Sequence, residues 1–270
     1  MEKNNELGVL TNLSLFSGAG GLDLGAKLIG GFRTVCYCEF DIRAQATLRS
    51  RIKDGTHDDA PIWDDVSTFD GKRWSGLVDV VSGGFPCQDV STAGKQRGIK
   101  EGTRSGLWFQ FRRIISEVGP RFVLVENVAG LILGGGIGTV LGSLDELGYD
   151  ARWDTVSAAD VGGPHERKRV WIVAHAKRFG GIPWRETISP GKRDMGRLQL
   201  PDREGYWNGI RTEGADKKTI WEIYPGPYIH RMADGMADWA YRIKQCGNGV
   251  VSRSSIPCGW QKIKELAQTA

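Results

Sequence analysis

The chain is 270 residues long, 40% hydrophobic and 25% charged, with a formal net charge of +4; this is enough for one large domain or a domain with a smaller appendage, and ordinary for a soluble globular protein. No run approaches the roughly 18 consecutive apolar residues of a membrane span, and the polar start Met1-Glu2-Lys3-Asn4-Asn5-Glu6 lacks a signal-peptide core. Cys36, Cys38, Cys87, Cys246 and Cys258, an odd number at irregular spacing, point to reduced thiols in an intracellular protein rather than a disulfide frame, and Cys36-Tyr37-Cys38 is too tight for the usual zinc pair.

The first predicted strand, Val9 to Phe16, runs into Gly18-Ala19-Gly20-Gly21, which opens a helix through Leu28. Thr34 to Glu39 reads as a second strand and Ile42 to Lys53 as a helix. Val78 to Ser82 is a third strand. Ser105 to Val118 has helical spacing in Leu107, Phe111, Ile114, Ile115 and Val118, and stops at Gly119-Pro120. The apolar run Phe122-Val123-Leu124-Val125 ends in Glu126-Asn127. Thr139 to Leu147 is a helix, and Arg152 to Ser157 and Val170 to Ala174 are strands. Apolar strands alternating with amphipathic helices predict an α/β fold with a mostly parallel sheet covered on both faces.

This pattern stops after His175. Residues 176–230 are rich in Gly, Pro, Arg and Trp, which marks a second, loop-rich unit or a long functional insertion. Trp184, Trp207 and Trp221 argue against a disordered linker, because such linkers are poor in aromatics. Residues 177–218 carry ten Lys/Arg against six Asp/Glu, so this stretch alone holds a surplus of +4. Helical spacing returns near Met236 to Ile243, and Gly247-Asn248-Gly249-Val250-Val251 restarts an ordered turn.

Four constellations could carry chemistry. In Phe16-Ser17-Gly18-Ala19-Gly20-Gly21-Leu22-Asp23, a strand meets a glycine turn that opens a helix; glycines admit a ligand against the backbone, and the helix N-terminus offers N–H donors. Glu39, at the end of the next strand, is placed to bond ribose hydroxyls. Together they describe an adenosine-containing cofactor. A dinucleotide fingerprint would want a third glycine where Asp23 stands, which disfavours a nucleotide-dependent oxidoreductase. The second constellation is Gly83-Gly84-Phe85-Pro86-Cys87-Gln88-Asp89, a tight turn that projects one thiol from a strand end. Such a thiol can be a nucleophile, although a free cysteine can equally be a small buried hydrophobe. The third is Glu126-Asn127-Val128, at the end of the next strand, so that Cys87 and Glu126 face one crevice. A thiol beside a carboxylic acid suits addition to an electron-poor ring whose nitrogen the acid protonates. The fourth is His165-Glu166-Arg167-Lys168-Arg169, in which alternation sends Arg167 and Arg169 to one side of an extended chain.

Taken in order, Phe16-Ser-Gly-Ala-Gly-Gly, Glu39, Pro86-Cys87-Gln88, Glu126-Asn127-Val128, Arg167-Lys-Arg169 and Gly247-Asn248-Gly249-Val250 closely resemble the DNA cytosine-5 methyltransferases. The resemblance covers roughly residues 10–174 and 228–256. It implies a Rossmann-like S-adenosylmethionine-dependent methyltransferase sheet over residues 9–174, with a small loop-rich target-recognition domain over 175–228 and a C-terminal segment, 229–262, that returns to the catalytic domain. It further implies that Phe16, Gly18 and Gly20 line the methionine and adenine parts of the cofactor, that Glu39 binds the ribose, that Phe40 packs on the adenine face, and that Asp65 and Val66 contact the adenine amino group. Asn248 and Val250 would return to the same pocket. Cys87 would attack C6 of a cytosine flipped out of double-stranded DNA, Glu126 would serve N3, and Arg167 and Arg169 would orient the base and lower the thiol pKa.

No metal is called for, since the sulfonium supplies the electrophile. The expected setting is intracellular and DNA-associated, bacterial or phage-borne, with a monomer as the default. Phe85 stands where many members carry proline, and His165 where glutamine is common. The recognition region is short for the family, which leaves a catalytically weak DNA-binding relative as one alternative. A tRNA cytosine-5 methyltransferase is another, although the Cys-Phe-Thr tripeptide of that subfamily does not occur.

Overall fold

The computed structural model describes residues 8–86, 106–161, 166–181 and 252–269. Cys87, His165, Asn248, Val250, the segment Met236 to Ile243 and nearly all of the expected recognition region lie outside them.

Seven strands form one sheet: β1 (Leu10–Leu15), β2 (Phe32–Cys38), β3 (Ile62–Trp63), β4 (Val80–Gly83), β5 (Phe122–Val128), β6 (Tyr149–Val156) and β7 (Arg169–Ala176), in the order β3-β2-β1-β4-β5-β7-β6. β1 to β5 are parallel. β7 runs antiparallel to both β5 and β6, so the expected mostly parallel sheet closes on an antiparallel pair. The order reverses between β1 and β4, and a ligand in an open α/β sheet binds at that reversal, outside the carboxyl ends of the strands. Register aligns those ends: Leu15 pairs with both Cys38 and Gly83, and Gly83 pairs with Val125. Antiparallel β7 begins where β5 finishes, with Arg169 opposite Val128. The inverted strand therefore delivers Arg169, its first residue, to the edge where the parallel strands deliver their last ones.

The helices follow their local chemistry. α1 (Gly21–Ile29) opens at the end of the glycine run, where Gly20 caps it in the left-handed region at φ 78°. The Asp41 carboxylate accepts from the N–H groups of Arg43 and Ala44 and opens α2 (Ile42–Lys53) at its expected bounds. α3 (Leu107–Val118) ends on left-handed Gly119, as the Gly-Pro signal requires. α4 (Gly130–Leu133) is an unforeseen single turn, and α5 (Gly136–Glu146) begins earlier than Thr139.

Strand alternation divides the core. Leu13, Leu15, Val81, Val123, Val125 and Ile172 pack with the apolar stripe of α3 and with Val140 and Leu144 of α5. Val80, Leu124, Trp171 and Val173 face the opposite layer with Leu22 and Ala26 of α1. That second layer is completed by the chain's end. A π-helical turn, Ile256–Trp260, leads into α6 (Gln261–Thr269), and Trp260, fully buried, donates its Nε1–H to the Leu22 carbonyl at 3.0 Å. The helix continues past residue 262, the expected end of the C-terminal segment, because Ile263, Leu266 and Ala267 belong to the core. Among the described residues no helix is long and apolar enough to cross a membrane.

Candidate active site

The turn after β1 is tightly specified. Ser17 N–H donates to the Cys38 carbonyl at 3.1 Å, and Gly20 N–H to the Ser17 carbonyl at 2.9 Å. Phe16 sits at φ 53°, the one non-glycine with positive φ among the described residues, and such a conformation costs about 1–3 kcal/mol and persists only where its surroundings impose it. Glu39 helps impose it. One carboxylate oxygen accepts from Gly18 N–H and the other from Asp41 N–H, each at 2.7 Å. Burial raises the Glu39 pKa while these amides oppose the rise. Glu39 thus clamps the glycine turn to the β2–α2 junction, and each oxygen keeps a lone pair for a ligand hydroxyl.

Phe40, beside it, is 80% exposed, an unusual state for a phenyl ring at the mouth of a strand-end crevice. Asp65 caps its own 3-10 turn, accepting from Ser67 N–H at 2.8 Å and Ser67 O–H at 2.7 Å on Oδ1, which leaves Oδ2 to accept from a ligand amino group. Val66 is buried in the core, so its backbone rather than its side chain is what it can offer there. An exposed ring, a clamped carboxylate, a free carboxylate oxygen and the N-terminus of α1 at one strand edge fit an adenosyl amino acid.

Asp23, which marks the departure from a dinucleotide fingerprint, is the hub of a buried network. Ser14 and Thr34 hydroxyls donate to its carboxylate at 2.9 Å, and Asn12 Nδ2 at 3.3 Å. The Ser17 hydroxyl donates onward to Ser14 Oγ at 3.0 Å. Burial pushes the Asp23 carboxyl up to about 6, against the pull of the Ser14 and Thr34 hydrogen bonds. A glycine at position 23 would leave Asn12 and Ser14, both on the face of β1 toward α1, without this acceptor.

The other half of the site lies at the ends of β4 and β5. β5 runs through Val128, so Glu126, Asn127 and Val128 close the strand, at the strand end where the sequence places them. Glu126 is 9% exposed and pairs with Arg169 Nε at 2.8 Å, diagonally across the β5–β7 ladder. Burial raises its pKa, and the charges of Arg169 and then Arg167 resist the rise. Arg167 is itself held below its ordinary value by burial and by Arg169. Arg169 thus contacts Glu126 directly, and Arg167 acts on it through its charge. Gly84 has no room for a side chain, because a Cβ there would stand 2.6 Å from Glu126 Oε2; the turn toward Cys87 passes directly over the acid. Asn127 Nδ2 donates to the Phe85 carbonyl at 3.2 Å and ties that turn to β5. Phe85 is a fitted core residue, its ring 5.4 Å from Trp108, which meets Phe111 at 5.6 Å, which in turn meets Phe16 at 6.0 Å. An aromatic row thereby joins the turn after β4 to the turn after β1.

Of the expected site residues, the structure assembles Phe16, Gly18, Gly20, Glu39, Phe40, Asp65 and Val66 around the β1–β2 end, and Glu126, Arg167 and Arg169 around the β4–β5–β7 end. Two contributors were not foreseen. Asn127 stood inside a quoted motif without a role, and only its partner 42 positions away reveals one. His57 gave no signal, being a lone histidine in a polar stretch; its Nε2 lies 2.9 Å from the Gly20 carbonyl. Among the described residues no group of three or more His, Cys, Asp or Glu side chains is placed to hold a metal ion.

Residues 10–252 match the family model of the C-5 cytosine-specific DNA methylases. The chain is 38% identical to the Type II methyltransferase M.Eco47II of Escherichia coli over 174 residues, covering 62% of this chain and 39% of that protein. A prophage-encoded E. coli protein described as a DNA modification methyltransferase superposes with a TM-score of 0.52 at 29% identity, over 64% of this chain and 49% of that one. A mutant of Spodoptera frugiperda DNMT2 shares the fold, with a TM-score of 0.51 at 19% identity over 68% and 53% of the two chains. The matched region spans less than two thirds of the curated relatives' length. With a family model matched over most of its length, the chain belongs to the C-5 cytosine-specific DNA methylase family.

Proposed function

We propose that the protein transfers a methyl group from S-adenosylmethionine to C5 of cytosine in double-stranded DNA. The observation that carries this reading is the buried Glu126–Arg169 pair directly beneath Gly84, at the start of the turn that leads to Cys87. An acid whose proton is held more tightly than usual suits protonation of a cytosine ring nitrogen, and the thiol of Cys87, three residues after Gly84 in the sequence, suits addition to that ring.

The cofactor's place is the β1–β2 end. Glu39 accepts from the ribose hydroxyls, Phe40 covers the adenine, Asp65 accepts from its amino group, and the α1 N-terminus receives the carboxylate. When bound, S-adenosylmethionine supplies an electrophilic methyl group at its sulfonium. Asn248 and Val250 are proposed to close this pocket. Residues 175–228 are proposed to recognise the target, and residues 229–262 to return the chain to the catalytic domain.

The target cytosine must leave the duplex stack to be reached. The Cys87 thiolate donates an electron pair to C6. The C5=C6 electrons shift toward N3, which takes the Glu126 proton, and C5 becomes nucleophilic. After C5 is methylated, its remaining proton is lost to a base, the C6–S pair returns to sulfur, and N3 gives its proton back to Glu126. Arg169 holds Glu126 in place throughout, and Arg167 adds positive charge at the same edge.

Incubation with radiolabelled cofactor and duplex DNA should yield C5-methylcytosine, and Cys87→Ala should abolish it. Methylation that persists in Cys87→Ala overturns the mechanism; DNA binding by wild type with no transfer favours a catalytically weak DNA-binding relative. If the basic stretch 177–218 makes the phosphate contacts, DNA affinity falls steeply with salt.

A further inference from the structure

The Gly20 carbonyl carries two hydrogen bonds. It accepts from Leu24 N–H at 2.9 Å, the first bond of α1, and from His57 Nε2 at 2.9 Å. Since a carbonyl only accepts, the ring must hold its proton on Nε2. His57 is 6% exposed, and its Nδ1 has no hydrogen-bond partner among the described residues. Burial holds the imidazole pKa below its ordinary value, with Lys27 and Arg51 acting in the same direction and the Gly20 hydrogen bond and Asp58 against it. The carbonyl contact fixes a proton on Nε2, and the Tyr37 ring, 6.3 Å away between centroids, closes one side.

Gly20 is adapted to this contact. At φ 78° it is strained for any other residue, and a Cβ would lie 2.0 Å from His57 Nε2. The consequence runs through the peptide plane. No described peptide bond is cis, so fixing the Gly20 C=O direction fixes the Gly21 N–H in the opposite direction. That N–H belongs to the first turn of α1, where backbone donors have no intrahelical partner. Leu24 N–H alone cannot hold the plane, since helix ends fray; a side chain from beyond α2 can.

Resting on the assignment of S-adenosylmethionine to this turn, we propose that His57 is a positioning residue that pins the Gly20 carbonyl and so aims the Gly21 N–H at the amino-acid end of the cofactor.

The test compares two ligands by isothermal titration calorimetry on the full chain. S-adenosylhomocysteine carries the amino-acid end; 5′-methylthioadenosine has the same nucleoside without it. His57→Leu should weaken S-adenosylhomocysteine binding about five- to tenfold, the value of one hydrogen bond, and leave 5′-methylthioadenosine within twofold of wild type. His57→Gln, whose amide can reach the same carbonyl, should restore S-adenosylhomocysteine to within twofold. Where His57→Leu does not fold, His57→Asn, too short to reach Gly20, takes its place. Equal losses for both ligands, no loss for either, or a glutamine variant as weak as the leucine variant overturns the proposal. Wild type that binds neither ligand overturns the cofactor assignment beneath it instead.

Discussion

Asp23 offers the sharpest physical test of the cofactor turn. Its carboxyl is pushed from an ordinary 3.8 to about 6, so the native state binds the proton more tightly than the unfolded chain. Stability from this group is therefore greatest below about pH 4, declines as pH rises toward 6, and stays at its lower level above that. At about 1.36 kcal/mol per pH unit, the gap amounts to about 3 kcal/mol. Asp23→Asn removes the titration and keeps the shape. Its Oδ1 still accepts from Thr34 and Asn12, and the Ser14 hydroxyl can turn to accept from the new amide. Urea unfolding of both proteins at pH 4, 5, 6 and 7 isolates the effect, because every other carboxyl cancels in the difference. Because the unfolded carboxyl is already more than half ionised at pH 4, the difference should move by about 2.4 kcal/mol in favour of the variant from pH 4 to pH 7. A difference that stays flat, or that moves toward wild type as pH rises, refutes the reasoning: the three donors would then outweigh desolvation and Asp23 would be an ordinary ionised residue.

Three further outcomes are expected. Gly84→Ala places a Cβ 2.6 Å from Glu126 Oε2 and should lower kcat by about a hundredfold through displacement of the acid, with S-adenosylhomocysteine affinity unchanged by calorimetry. Asn127→Ala leaves the Phe85 carbonyl without its donor and should cost about 1–3 kcal/mol in urea unfolding, together with slower methyl transfer in a single-turnover assay. Trp260→Ala should cost about 3–5 kcal/mol, while Trp260→Phe, which loses chiefly the bond to the Leu22 carbonyl, should cost about 1 kcal/mol in the same unfolding experiment.

Local pattern carried the reading of the elements far. α2 was legible to the residue, because an Asx cap and helical composition both act within four positions. The polar end of β5, Glu126-Asn127-Val128, is legible from the apolar run before it, whereas its pairing with an antiparallel β7 through Val128 is not. β3, two residues long, has no periodicity to detect and exists only through its pairing with β2. α4 was missed for a related reason, as a single turn is too short to display a helical stripe.

The residue order alone determined the family and put Glu126, Arg167, Arg169 and the glycine turn forward as candidates, since each is a chemical type at a fixed place relative to a strand end. Only the tertiary structure decided how they meet. The antiparallel β7 turns Arg169 onto Glu126, Glu39 clamps Gly18 as well as facing the crevice, and Asp23, Asn127 and His57 reach across the fold to hold the two turns. The physical reason is range. Caps, turns and periodicity act over a few residues and are written in adjacent letters, whereas a hydrogen bond between positions 37 or 42 apart exists only after the sheet has brought the strand ends together.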